Sequence, residues 1–231
     1  MPLRRTGATL LAALVLAATA ACSGGSDESA PDLLAHAKKT LDAASSAHFV
    51  LTSDGAPSTG TLLVGGTGDI KRPASFEGTL KVQASGATTD VKVVSVGGTV
   101  YAQLPFLASY SVIDPAQFGI GDPGALLDPD SGISQLLAKA QKAELGDEKR
   151  VGGVVVREVT ADLPGQLVAD LLTSKDPSTD VHARFSIATD SGQLRRAVLT
   201  GPFFTADDDG TYTVELSDFG ADVTITAPPT G

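Results

Sequence analysis

The sequence predicts an α+β fold built on an antiparallel sheet of about nine to eleven strands. Many segments alternate apolar and polar residues with a period of two, as strands with one buried face do. Glycine or aspartate clusters separate several of these segments at hairpin spacing. The helical segments lie between runs of strands and do not follow every strand, which favours α+β over alternating β and α units.

The chain begins with a segment typical of a secretory signal peptide. Two arginines precede an apolar run from Leu10 to Ala21, which ends in small residues directly before Cys22. This run is shorter than the roughly 20 apolar residues that cross a bilayer. We therefore expect residues 1–21 to be removed as a signal peptide.

Cys22 is the one cysteine in the sequence, and its surroundings resemble a bacterial lipobox, although Thr19 stands where that motif usually has leucine. In a lipobox the thiol receives a diacylglyceryl group, and two acyl chains anchor a protein stably. The alternative is an ordinary secreted protein with an unpaired cysteine. We expect Cys22 to be the lipid anchor and residues 22–30, rich in serine and glycine, to be a flexible tether.

The mature chain has the length of one domain, which we place at residues 31–231. Removal of two arginines with the signal peptide leaves 15 lysines and arginines against 27 acidic residues, a formal charge of −12. Such a charge disfavours nucleic acid as a partner and disfavours adhesion to anionic lipid through a basic surface. The plasma membrane would therefore be reached through the lipid anchor.

The first half of the mature chain is predicted as one helix followed by a meander. Apolar residues at spacings of three and four predict a helix over about 32–44. Strands are predicted at Phe49–Ser53, Leu62–Val64, Phe76–Ala84, Thr89–Val93 and Val100–Leu104, with turns at Gly65-Gly66 and Gly97-Gly98. Residues 105–130 contain four prolines and three glycines among apolar residues, which predicts a packed cover with short helical turns.

The second half repeats this arrangement of helices and strands. Ile133, Leu136, Leu137 and Ala140 predict a helix over about 131–143. A strand at Val154–Leu163, a short helix at Pro164–Thr173 and strands at Val181–Ile187, Leu194–Leu199, Tyr212–Leu216 and Val223–Ile225 follow.

Six stretches, taken in order behind the lipobox, resemble the LprG/LppX family of actinobacterial lipoproteins. They are residues 46–52, 98–102, 110–116, 127–132, 216–220 and 228–229, and together they extend over nearly the whole mature chain. The resemblance implies a half-barrel, in which helices cross the concave face of a strongly curved antiparallel sheet and a cavity for acyl chains lies between them. It also implies that the protein binds acylated lipids or lipoglycans and carries them from the plasma membrane toward the outer envelope.

The resemblance also points to the residues that would line such a cavity. They are the apolar residues of the predicted dry faces: Leu34, Leu41, Phe76, Leu80, Val82, Val91, Val93, Val100, Leu126, Leu136, Leu137, Leu171, Phe185 and Ile187. Periodicity alone favours an ordinary filled core, because protein interiors are close-packed. The family resemblance favours the cavity.

The sequence contains no recognisable arrangement of catalytic or metal-binding residues. Its three histidines are widely spaced, and no Gly-x-Ser-x-Gly motif is present. Asp207–Asp209 and Asp128-x-Asp130 lack the further acids of an EF-hand, so we interpret them as a solvated turn and a helix start. We predict no enzyme, no cofactor and no metal site.

Two functional classes remain open. The first is a lipid carrier that is anchored in the outer leaflet of the plasma membrane, faces a periplasm-like envelope space and has a membrane transporter as a further partner. The second is a tethered, non-enzymatic binding or accessory module of an envelope transporter, which has no lipid ligand of its own. Lipid that co-purifies with the non-acylated protein would distinguish them.

The anchor prediction is tested by the variant Cys22→Ala. Because this variant lacks the thiol that would be acylated, we expect it to be released from membranes on cell fractionation. A variant that stays wholly membrane-bound would show that Cys22 is not the anchor.

Overall fold

The computed structural model describes residues 28–84, 86–118 and 120–231, so the predicted signal peptide and Cys22 lie outside the described residues. The strands are β1 Ser46–Asp54, β2 Leu62–Lys71, β3 Ser75–Ala84, β4 Ala87–Val96, β5 Thr99–Gln103, β6 Ser111–Ile113, β7 Gln141–Val151, β8 Val154–Leu163, β9 Val181–Ala188, β10 Leu194–Gly201 and β11 Gly210–Ser217. The α-helices are α1 Ala30–Ala43, α2 Ser134–Ala138 and α3 Gly165–Ala169, with 3₁₀ helices at Pro115–Phe118 and Pro123–Leu127. In this described part, no helix is long and apolar enough to cross a bilayer.

All 11 strands form one open, curved antiparallel sheet, in the order β6-β5-β4-β3-β2-β1-β11-β10-β9-β8-β7. Strands β1 to β6 form one meander and β7 to β11 form the other. The two meanders join where β1 pairs with β11, with Phe49 opposite Leu216 and Leu51 opposite Val214. The predicted fold class and strand number are confirmed.

Helix α1 begins at Ala30, two residues earlier than predicted and inside the predicted tether. The Ser29 hydroxyl accepts a hydrogen bond from the Asp32 N–H, and a proline occupies the first turn, where it is well tolerated. The helix buries Leu33, Leu34, Ala37 and Leu41 and packs against α2. One continuous core joins the helices to both meanders.

Three glycines allow large side chains to lie flat against the concave face of the first meander. Gly68 faces Gly78 across β2 and β3, and the Phe76 ring lies over both; Leu80 lies over Gly66. The predicted Gly65-Gly66 turn is therefore wrong, since both glycines lie within β2. Their role is to let side chains and backbone approach closely, which a β-carbon would prevent.

The predicted helix over 131–143 is also wrong in its second half. Helix α2 spans only Ser134–Ala138, and β7 begins at Gln141. The C-cap residue of the helix, Lys139, has a φ of −104° and a ψ of 4°, and Lys142 inside β7 has a positive φ of 50°. Ion pairs join β7 to β8, and one of them links Lys149 to Glu158 at 2.6 Å. The charged sequence of β7 has no alternation of apolar and polar residues, so this strand was not predicted.

The predicted strand at Val223–Ile225 does not form. This segment instead crosses the end of the sheet as irregular chain, where the Ser46 hydroxyl donates to the Ala221 carbonyl at 2.7 Å. The Lys71 ammonium donates to the Val223 carbonyl at 2.5 Å. These side chains take up backbone oxygens that a neighbouring strand would otherwise have paired.

The close approach of β2 and β3 predicts that Gly78→Ala destabilises the protein. A β-carbon at position 78 would lie 2.7 Å from the Gly68 α-carbon and 2.7 Å from the Phe76 ring. We expect the free energy of unfolding to fall by roughly 1–3 kcal/mol, measured by urea denaturation. The control is Thr79→Ala on the opposite face of β3, which should cost less than about 1 kcal/mol. Equal losses in both variants would contradict this account.

Candidate functional site

Two apolar hollows lie between the concave face of the sheet and the segments that cover it. The central hollow has a free volume of about 60 Å³. Its sheet wall consists of Phe49, Leu51, Leu63, Phe76, Leu80, Ala197, Leu199 and Val214, and its cover consists of Ile120, Gly121, Pro123, Leu126, Ile133, Leu136, Val168, Leu171 and Leu172. Both meanders therefore contribute to one wall, because β1 and β11 are neighbours.

The side hollow lies under the first meander and has a free volume of about 110 Å³. It is lined by Thr61, Leu62, Leu63, Leu80, Val82, Val91, Val93, Val100, Ala102, Leu104, Ile113, Pro115, Ile120 and Pro123. Among the described residues that line the two hollows, none is charged and only Thr61 has a polar side chain. Such walls suit a hydrocarbon, since they offer it no unpaired polar group.

Four residues line both hollows and separate them: Leu63 and Leu80 from the sheet, and Ile120 and Pro123 from the cover. Ile120 lies in irregular chain and Pro123 is the first residue of the 3₁₀ helix Pro123–Leu127, so neither belongs to a strand. These two residues form the cover side of the boundary between the hollows.

Nine of the 14 residues predicted to line a cavity lie around the hollows. Phe76, Leu80, Leu126, Leu136 and Leu171 line the central hollow, and Leu80, Val82, Val91, Val93 and Val100 line the side hollow. The other five, Leu34, Leu41, Leu137, Phe185 and Ile187, are buried in the core and are not among the lining residues. Their apolar faces pack directly on other elements.

Several lining residues were not predicted. Phe49 and Leu51 occupy alternate, buried positions of β1, and Leu199 and Val214 do so in β10 and β11, so a period of two could have found them. Leu63 and Ile120 carry no such signal. Leu63 lies at an irregularity where the register with β3 shifts, and Ile120 lies in irregular chain.

Leu63 is held in place by Tyr212. The Tyr212 hydroxyl donates to the Leu63 carbonyl oxygen at 2.5 Å, next to the register shift in β2. Burial raises the pKa of Tyr212, so the phenol stays protonated and remains a donor. The ring contacts Phe203 and Phe204, with centroid distances of 5.0 and 5.2 Å. The wall residue shared by both hollows is thereby tied to a rigid aromatic cluster.

The cover is fastened to the sheet by Asp122. Its carboxylate accepts hydrogen bonds from the buried Ser95 hydroxyl at 2.6 Å and from the Gly124 N–H at 2.8 Å. The second bond caps the 3₁₀ helix Pro123–Leu127. Gly124 has no β-carbon, which would lie 2.8 Å from the Ser95 hydroxyl, so only glycine fits this close approach.

The acidic residues before α2 stabilise a turn. The Asp128 carboxylate accepts hydrogen bonds from the Asp130 N–H and from the N–H and hydroxyl of Ser131. These bonds lower the pKa of Asp128, with that from Asp130 contributing most. Within the described ranges, no group of three or more His, Cys, Asp or Glu residues is arranged to hold a metal ion.

Comparison with known proteins identifies the family of this chain. Residues 29–225 match the LppX_LprAFG lipoprotein family. The chain belongs to this family. The lipoarabinomannan carrier protein LprG of Mycobacterium bovis is 30% identical over 230 residues, which cover 95% of this chain and 94% of that protein. Lipoprotein LprA of Mycobacterium tuberculosis is 29% identical over 184 residues, which cover 70% of this chain and 71% of that protein.

Two crystal structures of family members have the same fold. LprF from Mycobacterium bovis superposes with a TM-score of 0.70 at 21% identity, covering 87% of this chain and 97% of that one. LppX from Mycobacterium tuberculosis gives a TM-score of 0.62 at 17% identity, covering 85% and 99%. The family recognised from the sequence motifs is thus confirmed, and so is the unclosed, curved sheet.

The role of Asp122 predicts that Asp122→Ala loosens the cover. Loss of the helix cap and of the bond to Ser95 should lower the free energy of unfolding by roughly 1–2 kcal/mol. Amide hydrogen exchange should also accelerate at Ala125 and Asp128, whose N–H groups bond within this 3₁₀ helix. The control is Asp114→Ala, because the Asp114 carboxylate accepts from the Ala116 N–H in an exposed turn. Unchanged exchange at Ala125 in Asp122→Ala would refute the fastening role.

Proposed function

We propose that this protein is a non-enzymatic carrier that holds the acyl chains of a lipid or lipoglycan in the hollows under the sheet. The observation that carries this proposal is the pair of adjoining, uncharged hollows between the concave face and its cover. Membership of a lipoprotein family with a relative named as a lipoarabinomannan carrier supports it.

The chemistry of the walls selects the part of the ligand that would be bound. An acyl chain has no polar group to satisfy, and its burial contributes roughly 0.8 kcal/mol per methylene. A polar headgroup or glycan would lose its hydration against these walls without gaining a partner. We therefore place the acyl chains inside and the headgroup outside the hollows.

The size of the hollows requires the cover to move when a ligand binds. The free volumes of about 60 and 110 Å³ are smaller than the roughly 300–1,000 Å³ of typical ligand sites. Ile120 and Pro123 are the lining residues whose displacement would join the two volumes. Asp122, which lies between them in the sequence, fastens this segment to Ser95 and would resist that displacement.

The proposed place of action follows from the N-terminal segment. Acylation of Cys22 would tether the domain to the outer leaflet of the plasma membrane, and the tether would end where α1 begins at Ala30. From there the domain would receive lipid and carry it toward the outer envelope, with a membrane transporter as a further partner.

The small free volumes favour a second candidate function. If the side chains around them never separate, the hollows are ordinary packing defects of a core. The protein would then be a tethered accessory module of an envelope transporter without a lipid ligand. Native mass spectrometry of the chain from residue 23 onward separates the two candidates, since only a carrier should retain lipid.

Leu80 tests the proposal most directly because it lines both hollows. In a lipid carrier, the indole of Leu80→Trp should occupy ligand space, so bound lipid should fall while the melting temperature changes little. In a filled core, the same variant should lose roughly 1–3 kcal/mol of stability. The measurements are a thermal melt and a count of bound lipid.

The matched control is Lys92→Trp, which adds the same ring on the exposed outer face of the neighbouring strand. It should leave stability and lipid content unchanged. Wild-type protein without lipid, together with a collapsed melting temperature for Leu80→Trp, would refute the carrier function.

A further inference from the structure

The loop between β5 and β6 exposes a cluster of large apolar side chains. We define the apolar loop as residues 104–112, which include the first two residues of β6. Leu104, Leu107 and Val112 are 46%, 49% and 62% exposed, and Phe106 is fully exposed. Elsewhere in the described chain, Leu145 is the other large hydrophobic residue with such exposure. Four exposed apolar side chains within nine residues form a patch of the kind that marks an interaction site.

The backbone of the apolar loop holds Phe106 outward. Phe106 has a φ of 68°, a left-handed conformation that is unfavourable for an aromatic residue. The loop is closed by the Leu107 N–H, which donates to the Leu104 carbonyl at 3.1 Å, and by the Gln103 amide, which donates to the Leu107 carbonyl at 3.1 Å. Strain in an exposed aromatic residue, without burial to offset it, suggests a function for that conformation.

The apolar loop lies in a long uncharged part of the sequence. No Asp, Glu, Lys, Arg or His occurs from position 93 to 113, in a chain that carries 44 charged residues and a formal charge of −10. Charged side chains oppose transfer into a low-dielectric environment, so this segment could enter one at little electrostatic cost. Tyr110 adds an aromatic residue with a polar tip, a type enriched at membrane interfaces.

The apolar loop is continuous with the side hollow. Leu104 belongs to the loop and also lines that hollow, together with Ala102 and Ile113 from the two strands that the loop connects. Leu104 is therefore shared between the exposed loop and the wall of the side hollow. Exposure of apolar side chains to water has a free-energy cost.

We propose that the apolar loop inserts into the surface of a lipid bilayer and places the side hollow against the membrane. This inference rests on the proposed carrier function, because an acyl chain could then pass between bilayer and hollow without crossing water.

The area of the loop favours a bilayer over a protein partner. Four side chains cannot supply the roughly 600–1,000 Å² per partner of a stable protein interface, whereas an interfacial contact needs only a few apolar side chains.

The absence of tryptophan from the sequence allows a direct test. Phe106→Trp introduces a single tryptophan at the loop tip of the non-acylated chain from residue 23 onward. With phosphatidylcholine vesicles, its emission should shift to shorter wavelength, and lipids brominated on their acyl chains should quench it. The matched control is Leu145→Trp, at an exposed leucine on the far edge strand β7, whose emission should not respond. Emission from Trp at position 106 that vesicles leave unchanged would overturn the proposal.

A second variant measures the contribution of the loop to membrane binding. Phe106→Asp should reduce co-sedimentation with the same vesicles roughly tenfold, while the melting temperature stays unchanged because Phe106 is fully exposed. Undiminished co-sedimentation would also overturn the proposal.

The lipid count of the wild-type chain is independent of both results. Bound lipid without loop insertion would therefore reject only the docking, and insertion without bound lipid would reject only the carrier function.

Discussion

The structure depends on the antiparallel ladder between β1 and β11. This ladder joins β1, near the start of the domain, to β11, the last strand along the chain, and so makes one sheet from two meanders. Without it, each meander would have an additional open edge and an apolar face too narrow to enclose anything. The central hollow exists because residues of β1, β10 and β11 then share one wall.

Burial of the concave face sets the second constraint. The sheet is long, and only short helices and the irregular segment before α2 are available to cover it. Where the cover contacts the sheet closely, as at Gly124 and Ser95, the interior is filled. Where it does not, uncharged hollows remain, and Leu63, fixed by Tyr212, stands between them. Close packing is thus relaxed in the region that we propose for acyl chains.

Three of the features that we connect to function lie in or beside the first meander. The side hollow and the apolar loop belong to this meander, and the cover residues Ile120 and Pro123 follow it directly in the sequence. The second meander contributes Ala197, Leu199 and Val214 to the wall of the central hollow, whereas its residues Phe185 and Ile187 are buried in the core.

Comparison of the predicted with the observed helices and strands shows which elements leave a local pattern in the sequence. The strands with alternating residues and helix α1 were predicted because burial on one face leaves a period in the sequence. Strand β7 was predicted as helix in its first residues, because both of its faces are mostly exposed and its charged sequence carries no strand period. Only hydrogen bonding to β8 decides its conformation.

The sequence by itself determined the family, the antiparallel meanders, the predicted lipid anchor and the apolar residues available for a cavity. The family and the predicted anchor follow from short sequence motifs, and the meanders and the apolar residues follow from local periodicity. Which apolar residues surround a hollow and which fill the core was decided by the tertiary structure. Leu80 and Phe185 have the same alternating pattern, yet the first lines both hollows and the second is packed in the core. The difference arises from the cover opposite each residue, and contacts between distant segments leave no period in the sequence.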